Sequence, residues 1–361
     1  MGRKKETVLV AMSGGVDSSV VAAILKDRGY DVIGVTMQIW QESQKDPRHS
    51  GCCSLGAVED ARRVARILDI PFYVINFKDT FRETVIENFM EEYGAGRTPN
   101  PCVQCNKKVK FEALLDKMHE LGCDKLATGH YSRIRRNQDG AYRLLRSRGG
   151  QKDQSYVLYM LRQDQLRHVM FPLGEMGSKA ETRKLAMEYK LPVALKPDSQ
   201  EICFVSEAGG YREFLRKERP QLFEEGEIVT AEGEKIGAHE GVAGFTVGQR
   251  KGIGLTVAGG RPLYVLGLRP DQNQVIVGHE EALLRQEVDL EQVVWSSGEI
   301  IQGEIPVMAK IRYNMEAERA TLVGGSQPKI IFKKPVRAVT PGQIAVAYRG
   351  QSVVAGGVIS R

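Results

Sequence analysis

The spacing of apolar and polar residues divides the chain into two unlike parts. In the first, short apolar runs alternate with amphipathic stretches. Residues 6–12 form an apolar run that ends in Ser-Gly-Gly and reads as a strand. Residues 17–28 place Val20, Val21, Ile24 and Leu25 on one helical face before Gly29 stops the pattern. Further strands are predicted over 31–39, 72–77 and 125–130, and helices over 57–68, 80–93 and 106–121. Residues 41–56 are polar and 94–105 are rich in glycine and proline, so both read as loops. Strands separated by helices predict a parallel sheet covered on both faces.

Near Gly209 the pattern changes. Short β-forming runs follow at 245–255, 262–277, 286–295, 308–313, 319–323, 330–332, 344–348 and 352–358, with glycines and prolines between them. Over residues 307–359 such spacing predicts a barrel. The expected fold class is α/β: an N-terminal parallel-sheet domain over 1–208, a small β-rich central domain over 209–280 and a C-terminal β-barrel over 281–361.

Composition narrows the class. At 361 residues the chain is too long for one ordinary domain, and its 42% hydrophobic content lets each domain bury a core. Lys and Arg exceed Asp and Glu by 51 to 45, an excess that suits a polyanionic partner without requiring one. Its distribution says more. Arg133, Arg135, Arg136, Arg143, Arg146, Arg148 and Lys152 stand together with a single acid, Asp139. They form either a solvated hairpin or a phosphate-backbone contact. No run approaches the roughly 20 apolar residues of a membrane helix. No cleavable leader pattern follows the basic start, so a cytoplasmic protein with no membrane partner is expected. In that reducing setting Cys52, Cys53, Cys102, Cys105, Cys123 and Cys203 are reactive or metal-binding candidates rather than structural bridges.

Two segments carry chemistry. Ser13-Gly14-Gly15-Val16-Asp17-Ser18-Ser19 follows a strand and opens a helix. Its glycines let backbone approach a phosphate, and the helix start offers unpaired N–H groups and a positive dipole end. Asp17 is out of place beside phosphates unless Mg²⁺ or an N–H group offsets its charge. Gly-Lys-Ser/Thr is missing, so this is no Walker loop. The bland alternative is a tight turn in which Asp or Ser caps the helix. The second segment is Thr98-Pro99-Asn100-Pro101-Cys102-Val103-Gln104-Cys105-Asn106. A thiol near a helix start ionises readily, and the two prolines are expected to hold both sulfurs outward. A structural zinc site would need four ligands, and no second pair accompanies this one. Cys203, far along the chain in Asp198-Ser199-Gln200-Glu201-Ile202-Cys203-Phe204, would alone pass for a core cysteine. Cys123, beside a strand, is assigned to the core.

Ser-Gly-Gly-Val-Asp-Ser resembles the pyrophosphate loop of the ATP pyrophosphatases, which implies ATP and adenylation but no particular substrate. More motifs agree in order: Gly51-Cys52-Cys53-Ser54, Gly96-Arg97-Thr98-Pro99-Asn100-Pro101, Cys105-Asn106-Lys107 and Ala127-Thr128-Gly129-His130-Tyr131. Lys152-Asp153-Gln154-Ser155-Tyr156, the Asp198 to Phe204 segment and Gly248-Gln249-Arg250-Lys251-Gly252 continue the series. Nearly end to end, the chain resembles the bacterial tRNA-specific 2-thiouridylases.

That resemblance implies an adenine nucleotide alpha hydrolase-like first domain. ATP adenylates the C2 oxygen of the wobble uridine (U34) of tRNA, and sulfur then displaces AMP to give 2-thiouridine. It implies ATP contacts at Ala11, Met12, Ser13, Gly14, Gly15, Val16, Asp17, Ser18, Met37 and Gly129, with Asp17 counted among the catalytic residues. Asn100, Pro101 and Cys102 meet the target base, flipped from its stack. His130, Lys152, Asp153, Gln154, Arg312, Tyr313 and Gln343 match tRNA contacts. Cys203 carries a persulfide, and Cys105 acts as nucleophile or resolving thiol and pairs with it. One departure matters: many members carry Asp where this chain has Cys102. Three thiolates at Cys102, Cys105 and Cys203 would also suit a [4Fe–4S] cluster with one iron left for hydrosulfide, so persulfide and cluster routes both stay open. Expected partners are tRNAs of the Glu, Gln and Lys types and a cysteine desulfurase or sulfur-relay protein. The competing readings are an ATP pyrophosphatase acting on a small molecule, an iron–sulfur or redox-sensing RNA-binding protein, and a lysidine synthetase.

Overall fold

The computed structural model describes residues 5–40, 55–150, 152–198, 202–255 and 260–360, so Cys52 and Cys53 lie outside the described residues. Strands β1 (Thr7–Ala11), β2 (Asp31–Gln38), β3 (Phe72–Asn76) and β4 (Lys125–Ala127) run parallel. After a hairpin of β5 (Ser132–Arg136) and β6 (Tyr142–Arg146), β7 (Val169–Met170) completes a sheet of order β3-β2-β1-β4-β7. Residues alternate across β1: Leu9 and Ala11 enter one core, Val8 and Val10 the other. Both faces are covered, which is why the strand reads as an unbroken apolar run. Helix α1 (Val16–Asp27) buries its whole predicted face, and α2 (Leu55–Ile67) buries Ala57, Val58, Ala61, Val64 and Ala65. The strand order reverses at β1, which opens a crevice at the carboxyl ends of β1 and β4.

Helices α3 (Lys78–Phe81) and α4 (Glu87–Gly94) join through a π-helical turn, Arg82–Ile86. Helices α5 (Pro101–Cys105) and α6 (Leu114–Glu120) join through a second π-helical segment, Asn106–Ala113. The glycine- and proline-rich loop is therefore shorter than its composition suggests. Asn100 caps α5, its Oδ1 accepting from Val103 N at 3.2 Å. Pro101 stands at the first helical position, where its missing N–H costs nothing. Both cysteines of the pair are thus helical.

Four short helices follow: α7 (Gln163–Leu166), α8 (Lys179–Glu188), α9 (Cys203–Glu207) and α10 (Tyr211–Glu218). The central sheet has order β10-β11-β8-β9, from β8 (Gly226–Thr230), β9 (Lys235–His239), β10 (Tyr264–Arg269) and β11 (Gln274–Gly278). Residues 245–255, read with 262–277 as strands and turns, form turns alone. Gly248, Gly252 and Gly254 take φ of +88°, +71° and +79°, which turn the chain instead.

The last six strands are β12 (Leu284–Trp295), β13 (Glu304–Lys310), β14 (Glu318–Val323), β15 (Lys329–Arg337), β16 (Ile344–Arg349) and β17 (Ser352–Ile359). Pairing of β12 with β17 closes them into a barrel. The basic β5–β6 hairpin joins the same sheet through Ser352 and Leu145. Among the described residues, no helix is long and apolar enough to cross a membrane.

Candidate active site

Residues 12–15 bridge β1 and α1 at the crevice. Met12 N donates to Val35 O at 2.7 Å and Met12 O accepts from Thr36 Oγ1 at 2.6 Å, so β2 fixes the start of the loop. Gly14 has φ +69°, and a Cβ there would lie 2.1 Å from Ala57 O. Gly15 is the N-cap of α1, and no side chain caps that end. The Asp- or Ser-capped turn is therefore not what forms. Ser18 Oγ instead accepts from Ser13 N at 3.1 Å. Across the crevice, a Cβ on Gly129 would sit 3.0 Å from Ser18 N and cover the helix start. Bare amides at a helix N-terminus, ringed by glycine, fit a polyphosphate.

The charge of Asp17 is answered by the protein. Lys179, the first residue of α8, donates to Asp17 Oδ1 at 2.6 Å, and Tyr131 OH donates to the same oxygen at 2.7 Å. Burial, then the Asp17 charge, pushes the Tyr131 phenol up, so it stays a donor. Lys179 also lies 2.9 Å from Asp198 Oδ1, a carboxylate that meets Lys152 at 3.1 Å and Arg183 at 3.2 Å. Burial opposes the charge on Asp198, but hydrogen bonds from Lys179 and Lys152 outweigh it and hold the carboxyl below its ordinary value. Lys196 reaches Gly14 O at 3.1 Å and Asp60 at 2.8 Å. A single carboxylate beside phosphates is also the donor set Mg²⁺ commonly takes, and Asp17 is the residue that would hold such an ion. Sequence reasoning gave no role to Lys179, Tyr131, Asp198, Lys196 or Asp60. Tyr131 and Asp198 fall within quoted motifs, but nothing local marks the pairing, since Lys179 stands 162 positions from Asp17.

Cys102 is exposed in the first turn of α5, whereas Cys105 is buried. The expectation that both sulfurs face outward is corrected: residues three apart on a helix differ in depth when one lies against the core. Cys105 belongs to the same buried cluster as Ala11 at the root of the phosphate loop, and Met37 and Cys203 pack against that cluster. Among the described residues, no three His, Cys, Asp or Glu side chains gather to hold a metal ion. Cys123 lies in the core, its thiol pushed up by burial and then by Asp124.

The approach to α5 is held by the barrel. Thr98 N donates to Pro341 O at 2.8 Å, and Gln343 Nε2 donates to Thr98 O at 3.0 Å and Pro99 O at 3.3 Å. Arg97 pairs with Glu92 at 2.7 Å and with Glu291 of β12. From the other side, Gln104 Nε2 donates to Thr84 O at 3.1 Å in the π-helical turn. Asn106 is buried between Val157 O at 3.1 Å and Lys110 at 2.9 Å.

The seven candidate tRNA contacts divide. Lys152 and Tyr313 are exposed. Lys310 lies 5.2 Å from the Tyr156 ring and 5.4 Å from that of Tyr313, which joins the 152–156 loop to the barrel. Asp153 accepts from Ser147 N at 3.1 Å and Ser155 N at 3.2 Å, and Gln154 Oε1 accepts from Tyr131 N at 2.9 Å, so both brace the fold. Arg312 donates to Arg337 O, and Gln343 is engaged as described. His130 Nδ1 is 2.6 Å from Thr128 Oγ1, with its ring against Phe111 and Phe171. Burial, then Lys110, holds the imidazole neutral, so it offers a phosphate no charge.

The parallel sheet, its reversal point and the glycine cradle define a nucleotide-binding domain. A family model described as "tRNA methyl transferase HUP domain" matches residues 6–207. A "tRNA methyl transferase PRC-barrel domain" matches 212–279 and an "Aminomethyltransferase beta-barrel domain" matches 285–359. Full-length relatives are more specific. The tRNA-specific 2-thiouridylase MnmA of Clostridium botulinum (strain Eklund 17B / Type B) is 47% identical, over 99% of each chain. That of Moorella thermoacetica is 48% identical over 97% of this chain and 98% of its own, and that of Carboxydothermus hydrogenoformans 46% identical over 100% and 99%. The chain belongs to the tRNA-specific 2-thiouridylase family.

Proposed function

We propose that the chain converts the wobble uridine of tRNA to 2-thiouridine at the expense of ATP. The C2 oxygen of the uridine attacks the α-phosphorus and pyrophosphate leaves. AMP is then a far better leaving group than the carbonyl oxygen it masks. The terminal sulfur of a Cys203 persulfide attacks C2 and AMP departs. Cys105 attacks the Cys203 sulfur, which releases 2-thiouridine and leaves a Cys105–Cys203 disulfide for an external thiol to reduce.

The observation that carries the reading is the shared core: Ala11 at the phosphate loop and Cys105 lie in one buried cluster, against which Cys203 packs. The same cysteines favour thiolation over the methyl transfer in the family-model descriptions. The persulfide route is preferred to a [4Fe–4S] route because it asks for two of the three cysteines rather than for a full set of cluster ligands. Asp17 is the residue that would hold Mg²⁺, which would offset phosphate charge. Asn100, Pro101 and Cys102 receive the flipped base, and Lys152, Tyr313 and Arg312 meet tRNA along the seam between first domain and barrel. The substrates are Glu, Gln and Lys tRNAs of the cytoplasm, and a cysteine desulfurase or relay protein supplies the sulfur.

The test is to incubate anaerobically purified protein with ATP, Mg²⁺, unmodified tRNA and a sulfur source, then quantify 2-thiouridine by mass spectrometry. Wild-type product that disappears in Cys105→Ala and Cys203→Ala is expected. ATP cleavage without thiouridine, with desulfurase and relay proteins present, refutes the reading. Product that also requires Cys102 and bound iron would restore the cluster route.

A further inference from the structure

The charges around Asp17 hold more than a balanced ion pair. Lys179 has only 14% of its side chain exposed and stands between two carboxylates, Asp17 Oδ1 at 2.6 Å and Asp198 Oδ1 at 2.9 Å. The other cations of the group are differently engaged. Arg183 donates to Ala194 O and Lys196 O, both at 2.9 Å, and so grips the chain that leads to Asp198. Lys196 is taken by Gly14 O and Asp60. Lys152 is half-exposed and meets Asp198 from outside. Lys179 comes from α8 to the first turn of α1, beside the amides that would hold phosphate, whereas Lys196 meets the loop at a carbonyl oxygen. An anion of higher charge at that helix start would draw the ammonium away from a single carboxylate.

We propose that Lys179 binds the polyphosphate of the nucleotide and that Asp198 is its placeholder, holding the ammonium over the loop until phosphate displaces it. The inference rests on the reading of residues 13–18 as an ATP loop. It has an unusual sign. Asp198 competes with the ligand, so removing its charge strengthens nucleotide binding, whereas removing Lys179 weakens it. If the pair merely braced the site, breaking it at either end would weaken binding.

The measurement is calorimetric titration of the full chain with the non-hydrolysable analogue AMP-PNP and Mg²⁺, with AMP as the probe that lacks β- and γ-phosphates. Lys179→Gln weakens AMP-PNP roughly tenfold or more and leaves AMP nearly unchanged, while Lys179→Arg keeps most of the affinity. Asp198→Asn tightens AMP-PNP by roughly three- to tenfold. In the Lys179→Gln background the same Asp198→Asn change has no effect, because its competitor has lost its target. Thermal melting verifies that each variant is folded. Unchanged or weaker binding by folded Asp198→Asn overturns the proposal. So does tightening that persists without Lys179, which would assign the phosphate to Lys152 or Arg183. Both results leave the nucleotide reading standing, whereas a wild-type chain that binds neither probe removes that reading as well.

Discussion

Gln343 is where family resemblance and geometry lead to different expectations. The resemblance makes it a tRNA contact. Its amide instead holds the carbonyls of Thr98 at 3.0 Å and Pro99 at 3.3 Å, directly before the Asn100 cap of the cysteine helix. Gln343→Ala removes two part-buried hydrogen bonds, each worth about 0.5–1.5 kcal/mol net, or about 1–3 kcal/mol together. The bond from Thr98 N to Pro341 O remains, so the loop loosens rather than detaches. If the loss falls on the productive placement of Cys102 and Cys105, kcat drops roughly 5- to 160-fold, since 1.36 kcal/mol is a factor of ten. The assay is steady-state 2-thiouridine formation with tRNA varied, beside tRNA binding at several salt concentrations. The expected result is a fall in kcat with KM within about twofold of wild type and an unchanged salt slope. Gln343→Glu, which aims an acceptor at two carbonyls, is worse than Gln343→Ala. A variant with normal kcat and a raised KM for tRNA would refute the positioning argument.

Three further outcomes follow from single contacts. Gly14→Ala forces a left-handed φ on a side chain at a cost of about 1–2 kcal/mol. Its Cβ would also overlap Ala57 O at 2.1 Å, so denaturant titration should show a loss of several kcal/mol together with abolished ATP binding. Asn100→Ala removes the cap of the cysteine helix at about 1 kcal/mol. Hydrogen exchange of the 102–105 amides should quicken while the barrel stays protected. His130 is neutral in the folded chain and has its ordinary value of 6.5 when unfolded, so the unfolded state binds the extra proton as pH falls. Its contribution is complete above pH 6.5 and is lost below it, by up to about 1.4 kcal/mol per pH unit. Urea midpoints measured from pH 7 downward should fall more steeply for wild type than for His130→Gln. Equal slopes would mean that the imidazole does charge in place.

Local pattern was enough for the elements that depend on neighbours in the chain. The apolar run of β1, the four-residue spacing of α1 and the glycines between them determine a strand, a turn and a helix start, and hence a phosphate cradle. The proline and asparagine around Cys102 determine a helix N-terminus, although composition alone placed it too late. Asn100 and Pro101 act through cap geometry rather than through loop content. Residues 245–255 suggested strands and turns together, while positive φ at three glycines decided for turns.

Other features were out of reach because they join residues whose separation carries no periodic signal. Closure of the barrel is decided by edge pairing over about 60 to 70 positions, and the capture of the β5–β6 hairpin by β17 over some 200. The depth of Cys105 relative to Cys102 is set by which helix face meets the core, not by the Cys-x-x-Cys spacing. The charge balance at Asp17 is set by Lys179 from α8, which folding brings to the loop. The sequence by itself determined that this protein presents a nucleotide loop and thiols, because those signals are local. Tertiary structure decided which cations answer the loop, which thiol is exposed and how the barrel grips the cysteine helix, because each is a long-range contact made by packing.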